Sequence, residues 1–399
     1  MPYPLLHRDQ VTPPQPQVYR VLRLSNGILE LTFIPELGGR LYQCRFLPTD
    51  QDLFYNNTVI KPSHWGPTEQ GWWLAAGGME WCLPVDEHGY VSAEPWDTTV
   101  SQNPDGSATA TMQITEKSRN IRVTVQVSLA PASSALTVRT SLYNPNAEDK
   151  SLQYWINAML SPGAHSVGNS LRLVVPAVQL VVHSTGDGSL PAAHGLLTWP
   201  VYQGRDLSYY RNWRNWLGFF APEVSADFTA IYDEQTELGM VRAFPVELAR
   251  GAKLFAFGAD FPDVGSYTDD GSKYIEMWGG LTPSFWEFAT LAAGATESWE
   301  ETWYVLAGCG TPVQANNEAA LSAVRNGSVL QLGLTTTLAG QWRIRVLAAG
   351  EQVLELSVIT SPEAAYRETV TLPATISDKS LEIAVLDRSD QVVLSYQLP

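Results

Sequence analysis

An all-β protein, a large antiparallel β domain followed by a small β-sandwich, is what the sequence predicts, and three observations carry that reading. Ile121, Val123, Val125, Val127 and Leu129 alternate with Arg122, Thr124, Gln126 and Ser128, and Leu136, Val138 and Thr140 repeat the period after a turn at Pro131–Ser134. A period of two with one apolar face marks antiparallel strands lying half on a core. Asn26-Gly27 and Asp105-Gly106 supply the two-residue turns that tight hairpins prefer. Helical periodicity is almost absent before residue 310.

Taken in order, residues 1–17 form an extended, proline-rich lead-in, and strands are expected from Val18. A hairpin follows, and Gly38-Gly39 breaks the pattern ahead of Arg40 and another strand. Further strand-like runs cover Tyr154–Leu160, Leu171–Val182, Gly218–Tyr232, Gly239–Phe244, Lys253–Phe257, Tyr274–Trp278, Phe285–Leu291 and Glu297–Leu306, with an aromatic, basic loop from Trp199 to Trp216. Residues 18–308 thus make one large domain. Residues 309–326 read as a linker in which Asn317–Arg325 forms a short helix capped by an Asn. Residues 327–399 hold six or seven short alternating runs and a single Trp, Trp342, enough for a small immunoglobulin-like sandwich.

Of the 399 residues 45% are hydrophobic and 17% charged, which is globular, and the net charge of −16 argues against nucleic acid or an anionic membrane surface as partner. Cys44, Cys82 and Cys309 are odd in number and widely spaced, so neither a disulfide framework nor a zinc site is expected. His64, His88 and the acids near them are not at a metal-ligand spacing, and neither metal nor cofactor is expected. The first 17 residues lack the apolar core of a signal peptide, no run approaches the ~18 apolar residues of a membrane helix, and the expected location is cytoplasmic.

The chemistry concentrates in Gly77–Asp97, GGMEWCLPVDEHGYVSAEPWD, where Glu80, Asp86, Glu87, His88 and Glu94 stand among Trp81, Tyr90 and Trp96, just after Trp65, Trp72 and Trp73. Indole faces stack on the C–H faces of a sugar ring while carboxylates accept its hydroxyl hydrogen bonds. The competing reading is a Trp-rich core beneath a long loop.

Several stretches resemble the galactose mutarotase-like (aldose 1-epimerase) superfamily, and most closely an uncharacterised bacterial branch with an appended C-terminal β-sandwich. They are NGILELTFIPELGGRLYQCRF (Asn26–Phe46), DLFYNNTVIKPSHWG (Asp52–Gly66), GGMEWCLP (Gly77–Pro84), WPVYQGRDLSYY, GAKLFAFG, and KYIEMWGGL followed by LAAGATESWEETWYVL. HGYVSAEPWD, His88 to Asp97, is similar to the H-G-F-x-x-x-x-P-W-E segment of hexose-phosphate mutarotase relatives. The resemblance implies a β-supersandwich with a concave sugar-binding face. It also implies cofactor-free chemistry in which a Glu takes the anomeric proton and a His protonates the ring oxygen.

Carried onto this chain, it implies Glu276 and His88 as the catalytic pair. Arg40, Trp65, Trp72, Trp73, Glu80, Trp81, Asp86, Asn157 and Trp278 are the implied substrate contacts. The chain departs from the pattern at Gln153–Leu160, where the superfamily's acid His is absent and Asn157 stands near its place. An amide cannot donate a proton as an imidazolium does; His165 or His88 would have to act instead. An enzyme acting on a mono- or oligosaccharide and a non-catalytic carbohydrate-binding protein therefore both remain. A lyase or glycosidase would set Glu80 or Asp86 opposite Glu276, and a protein-interaction role for the aromatic loops is the fourth reading.

Overall fold

In the computed structural model, residues 1–6, 11–258, 260–373, 376 and 380–398 are described. Part of the expected lead-in (residues 7–10) and residues 374, 375, 377–379 and 399 of the expected sandwich lie outside the described residues. No α-helix occurs among the described residues, and none is long and apolar enough to cross a membrane.

Two antiparallel sheets of eleven and eight strands make up the large domain. Across the first run Leu22–Ser25, Leu29–Ile34, Arg40–Phe46, Met79–Cys82, Trp155–Leu160, Ile275–Gly280, Gly251–Phe257, Trp216–Phe220, Gln179–Thr185 and Leu196–Thr198, with Gln51–Asp52 paired to one side. The second is centred on Leu238–Ala243, Thr296–Ala307, Ala135–Tyr143 and Ile121–Leu129. Val123, Val125, Val127, Met79, Trp81, Met277 and Trp303 meet in the core between them. Each such side chain contributes about 1.5–3 kcal/mol by leaving water, which fixes register because a one-residue slip would turn the apolar set outward. The Asn26-Gly27 and Asp105-Gly106 hairpins form as expected, Gly27 and Gly106 taking φ of 89° and 85°.

Five expectations are corrected. The run Gly218–Tyr232 divides between Trp216–Phe220 in the eleven-stranded sheet and Phe228–Asp233 in the eight-stranded one. Strands begin at Leu22 rather than Val18. The run Leu171–Val182 splits at Pro176 into Leu171–Val174 in the eight-stranded sheet and Gln179–Thr185 in the eleven-stranded one, because proline cannot donate to a sheet ladder. Within Phe285–Leu291 only Ala289–Leu291 is strand. Asn317–Arg325 is not a helix: Ala319–Asn326 pairs along its length with Val329–Thr336, and also with Gln314–Ala315, so residues 314–326 supply the first strands of the second sandwich. Helix-favouring Ala and Glu were overridden by packing on both faces, Ala319, Leu321 and Ala323 into the sandwich core and Ala320 against Tyr304 and Leu306 of the large domain.

The C-terminal sandwich consists of two four-stranded sheets around Leu321, Leu332, Ile344, Val346, Ile383 and Val385. It covers the outer face of the eight-stranded sheet. Along that seam Tyr304 Oη donates to the Ala319 carbonyl (2.8 Å), and Gly333 lies so close to Cys309 that a Cβ there would sit 2.0 Å from its carbonyl oxygen.

Candidate functional site

Cross-strand register assembles the site. Leu41 pairs with Met79, which sets Arg40 beside Glu80. Glu80 then pairs with Asn157, Asn157 with Trp278, Trp278 with Lys253 and Lys253 with Phe220. The preceding row, Met79, Ala158, Met277, Leu254 and Phe219, belongs to the core between the sheets, so strand alternation turns the Arg40-to-Phe220 row to the opposite face. Glu276, Phe255 and Ser184 stand in the next outward row. A register shift between Val182 and Ser184 accommodates His183.

These rows floor a cavity of about 250 Å³. His88, His183, Glu87, Lys253 and Glu276 line it with the aromatic rings of Trp65, Trp216, Phe255, Phe261, Tyr267 and Trp278. A larger hollow of about 870 Å³ lies at the seam of the two sandwiches; there Arg367 pairs with Glu237 at 2.8 Å and no His is present in its lining.

Behind the cavity runs a buried polar chain. Arg40 donates through Nη1 to the Gly77 carbonyl and through Nη2 to Glu80 Oε2, both at 2.8 Å. Gly77 and Gly78 have φ of 86° and 75°, which only glycine takes at no cost. Glu80 Oε1 accepts from Asn157 Nδ2 (3.0 Å) and lies 2.6 Å from His88 Nδ1. Burial pushes the Glu80 carboxyl up, but Arg40, His88 and Asn157 outweigh it and hold it at about 2. The carboxylate is therefore ionised, His88 Nδ1–H donates to it, and Nε2 is the ring nitrogen left for a ligand. Trp73 stacks on the imidazole at 3.9 Å and 7°, fixing the ring plane.

Glu276 is as buried as Glu80 but differs in its partners and in the direction of its shift. Its Oε2 accepts from Trp278 Nε1 at 2.9 Å, while Oε1 is buried without a hydrogen-bond partner. Burial raises its carboxyl, and His88, Lys253 and Trp278 offset this only in part. Lys253 is 4% exposed; its Nζ lies 4.3 Å from the Trp278 ring and 4.6 Å from that of Phe285. Burial lowers its pKa against the pull of Glu276 and Glu87. Burial likewise raises Glu87 and drives His183 down to about 3, so His183 is neutral.

Of the residues singled out from sequence, His88, Glu276, Trp278 and Trp65 line the cavity. Arg40, Glu80, Asn157 and Trp73 stand behind His88. Trp81 does not reach the cavity, because alternation places it in the core, with Nε1 bonded to the Gly39 carbonyl. Trp72 packs elsewhere and bonds the Pro4 carbonyl, and Asp86 is absent from the lining. No second carboxylate faces Glu276 from Glu80 or Asp86, since both Glu80 oxygens are engaged. His165 pairs with Asp270 at 2.6 Å, apart from the cavity. Glu80, Cys82 and His88 converge within 4.8 Å, yet burial holds the Cys82 thiol well above its ordinary range and thiolate is the metal-binding form; the hydrogen bond between Glu80 and His88 already engages the other two.

Sequence reasoning missed Lys253, His183 and Tyr267 as lining groups, while Glu87 was noted in the Gly77–Asp97 stretch but not set apart from its neighbours. The one available signal was Lys253 as the only charge within the otherwise apolar strand Gly251–Phe257.

Residues 1–293 match the family model described as a domain of unknown function (DUF5107), and residues 314–396 match that of the YphG-like protein, second domain. Among solved structures, a TPR-domain containing protein from Parabacteroides distasonis aligns with a TM-score of 0.63 at 21% identity, over 72% of this chain and 47% of that one. The chain thus spans about half the length of that protein. The Slr1438 protein from Synechocystis aligns at 0.53 and 13% identity, over 73% of this chain and 97% of its own. A galactose mutarotase-like protein from Clostridium acetobutylicum aligns at 0.51 and 13% identity, over 72% and 95%. At such identities the likeness is one of fold, and the fold of the large domain is galactose mutarotase-like.

Proposed function

We propose, from the premise that this chain belongs to the DUF5107 family, that its large domain binds a sugar in the 250 Å³ cavity and moves protons on it with Glu276 and His88. The observation that carries this reading is the buried, unpartnered Glu276 Oε1 in a cavity shared with an imidazole anchored through its other nitrogen. A carboxyl raised toward neutrality by burial is a better proton acceptor than an ordinary one. Glu276 takes the proton of the anomeric hydroxyl, the C1–ring-oxygen bond breaks, and the ring oxygen takes a proton from protonated His88 Nε2. Rotation about C1–C2 and the reverse steps give the other anomer. Glu80 keeps Nδ1–H in place, so proton traffic passes through Nε2. Trp278, Phe255 and Trp65 supply ring faces for the sugar's C–H surface.

Asn157 favours a second reading, a binding protein without turnover, because its Nδ2 is spent on Glu80 and it offers a ligand no proton. Saturation-transfer NMR with a panel of free aldoses and oligosaccharides separates the two, the same samples reporting α/β exchange. Binding with accelerated exchange is expected, with Glu276→Gln losing about 10²–10⁴-fold in exchange rate and still binding. Binding without exchange would support the second reading, and no binding by any sugar would sink both.

A further inference from the structure

Lys253 stands out among the groups in the cavity. Its ammonium carries three donors, yet no hydrogen bond or ion pair to Nζ is present among the described residues, and the rings of Trp278, Phe285 and Phe255 pack around it. Lys253 pairs with Trp278 and Phe255 with Glu276, so Lys253 and Glu276 are diagonal neighbours on one sheet face, a relation that sets such positions about 7–8 Å apart. Two long, oppositely charged side chains so placed ordinarily close on each other. Here both stay open, with Glu276 Oε1 an unmet acceptor and Lys253 an unmet donor lining the same cavity. Leaving the buried Glu276 oxygen unpaired is costly, and one ligand oxygen between the two groups would pair with both.

We propose that Lys253 is a catalytic residue of this site, donating to the same sugar oxygen whose proton Glu276 removes and holding the negative charge that develops there. The inference rests on the sugar reading above. Lys253 keeps its own protons throughout: the hydroxyl proton goes to Glu276, the freed electron pair forms the carbonyl as the ring C–O bond breaks, and His88 protonates the ring oxygen. The groups facing Lys253 are Glu276, Glu87, Cys82 and His183. Two carboxyls already surround the one ammonium, which favours a neutral hydroxyl over a sugar acid or phosphate. The lowered pKa of Lys253 agrees with a more acidic, stronger hydrogen-bond donor than an ordinary ammonium.

The test compares the intact protein with Lys253→Met, of similar length and without the charge, in the same NMR assay, with thermal unfolding as a fold control. The exchange rate is expected to fall about 10²-fold, as when one oxyanion donor is removed, with KM changed far less and the unfolding midpoint not lowered. If the wild type binds without turnover, Lys253→Met should weaken binding at least about 10-fold, the scale of one charge-assisted hydrogen bond. A variant with unchanged exchange, or unchanged affinity in that second case, overturns this inference and leaves the sugar reading intact. A wild type that binds no aldose overturns both.

Discussion

Two buried Arg–Glu pairs, one in each sheet of the large domain, use the same two side chains to different ends. Arg242 grips Glu301 with both prongs of its fork, Nε to Oε2 at 2.7 Å and Nη2 to Oε1 at 3.2 Å, while Nη1 donates to the Gly251 carbonyl and Trp299 Nε1 also donates to Glu301. Every polar atom of that pair is spent within the protein. Arg40 holds Glu80 by a single prong, its Nε has no partner, and the second Glu80 oxygen faces His88 and Asn157. A closed pair ties a sheet together. An open one passes its charge to a side chain that reaches solvent through a cavity.

The widest separation between the pairs should appear when each is broken and then replaced. Glu301→Gln and Glu80→Gln each leave a buried guanidinium uncompensated, and each should cost about 3–5 kcal/mol in urea unfolding. Arg242→Met with Glu301→Leu should recover most of that stability and keep sugar-dependent exchange. Arg40→Met with Glu80→Leu should recover stability without exchange, because His88 Nδ1–H has lost its anchor. Wild-type exchange in this last variant would erase the distinction.

A smaller effect appears on titration. Glu80 falls from an ordinary 4.5 to about 2 in the folded state, so the folded protein binds fewer protons than the unfolded chain between those values. Its contribution, roughly 3 kcal/mol, is complete above pH 4.5 and is lost as pH falls toward 2. Glu276 is raised and has the opposite sign: its contribution is complete below 4.5 and lost as pH rises through the folded value. Urea unfolding across this range should show a slope on the acid side that flattens in Glu80→Gln. An unchanged slope would mean that Glu80 is not held ionised. The smallest expected effect is at Trp65, which is 44% exposed at the rim and bonded to Asp263. Trp65→Ala should change stability by no more than about 0.5 kcal/mol and weaken sugar binding by roughly 1 kcal/mol, read by tryptophan fluorescence titration.

Strand alternation and turn dipeptides made the all-β architecture legible, since each is a local property. The site was legible only where a motif carried it. His88 and Glu276 stand in such stretches, and so does Lys253, within GAKLFAFG, but Lys253 acquires its meaning only from facing Trp278, 25 residues further on, a register that local sequence does not state. His183 depends on a register irregularity between Val182 and Ser184, and Trp81 was misjudged because its neighbour Glu80 faces the other side of the same strand. The helix expected at Asn317–Arg325 failed for a related reason, since its alanines are small to admit a neighbouring sheet rather than to favour a helix.

That neighbouring sheet has a consequence of its own. Where Ala320 meets Tyr304 and Leu306, and where Gly333 meets the Cys309 carbonyl, the two sandwiches are joined by the absence of side-chain atoms. Contact this close works as a welded bracket and not as a swinging arm. Whatever the second sandwich engages is held at one bearing to the mouth of the cavity, and a single added methyl at Gly333 would act as a shim that tilts it.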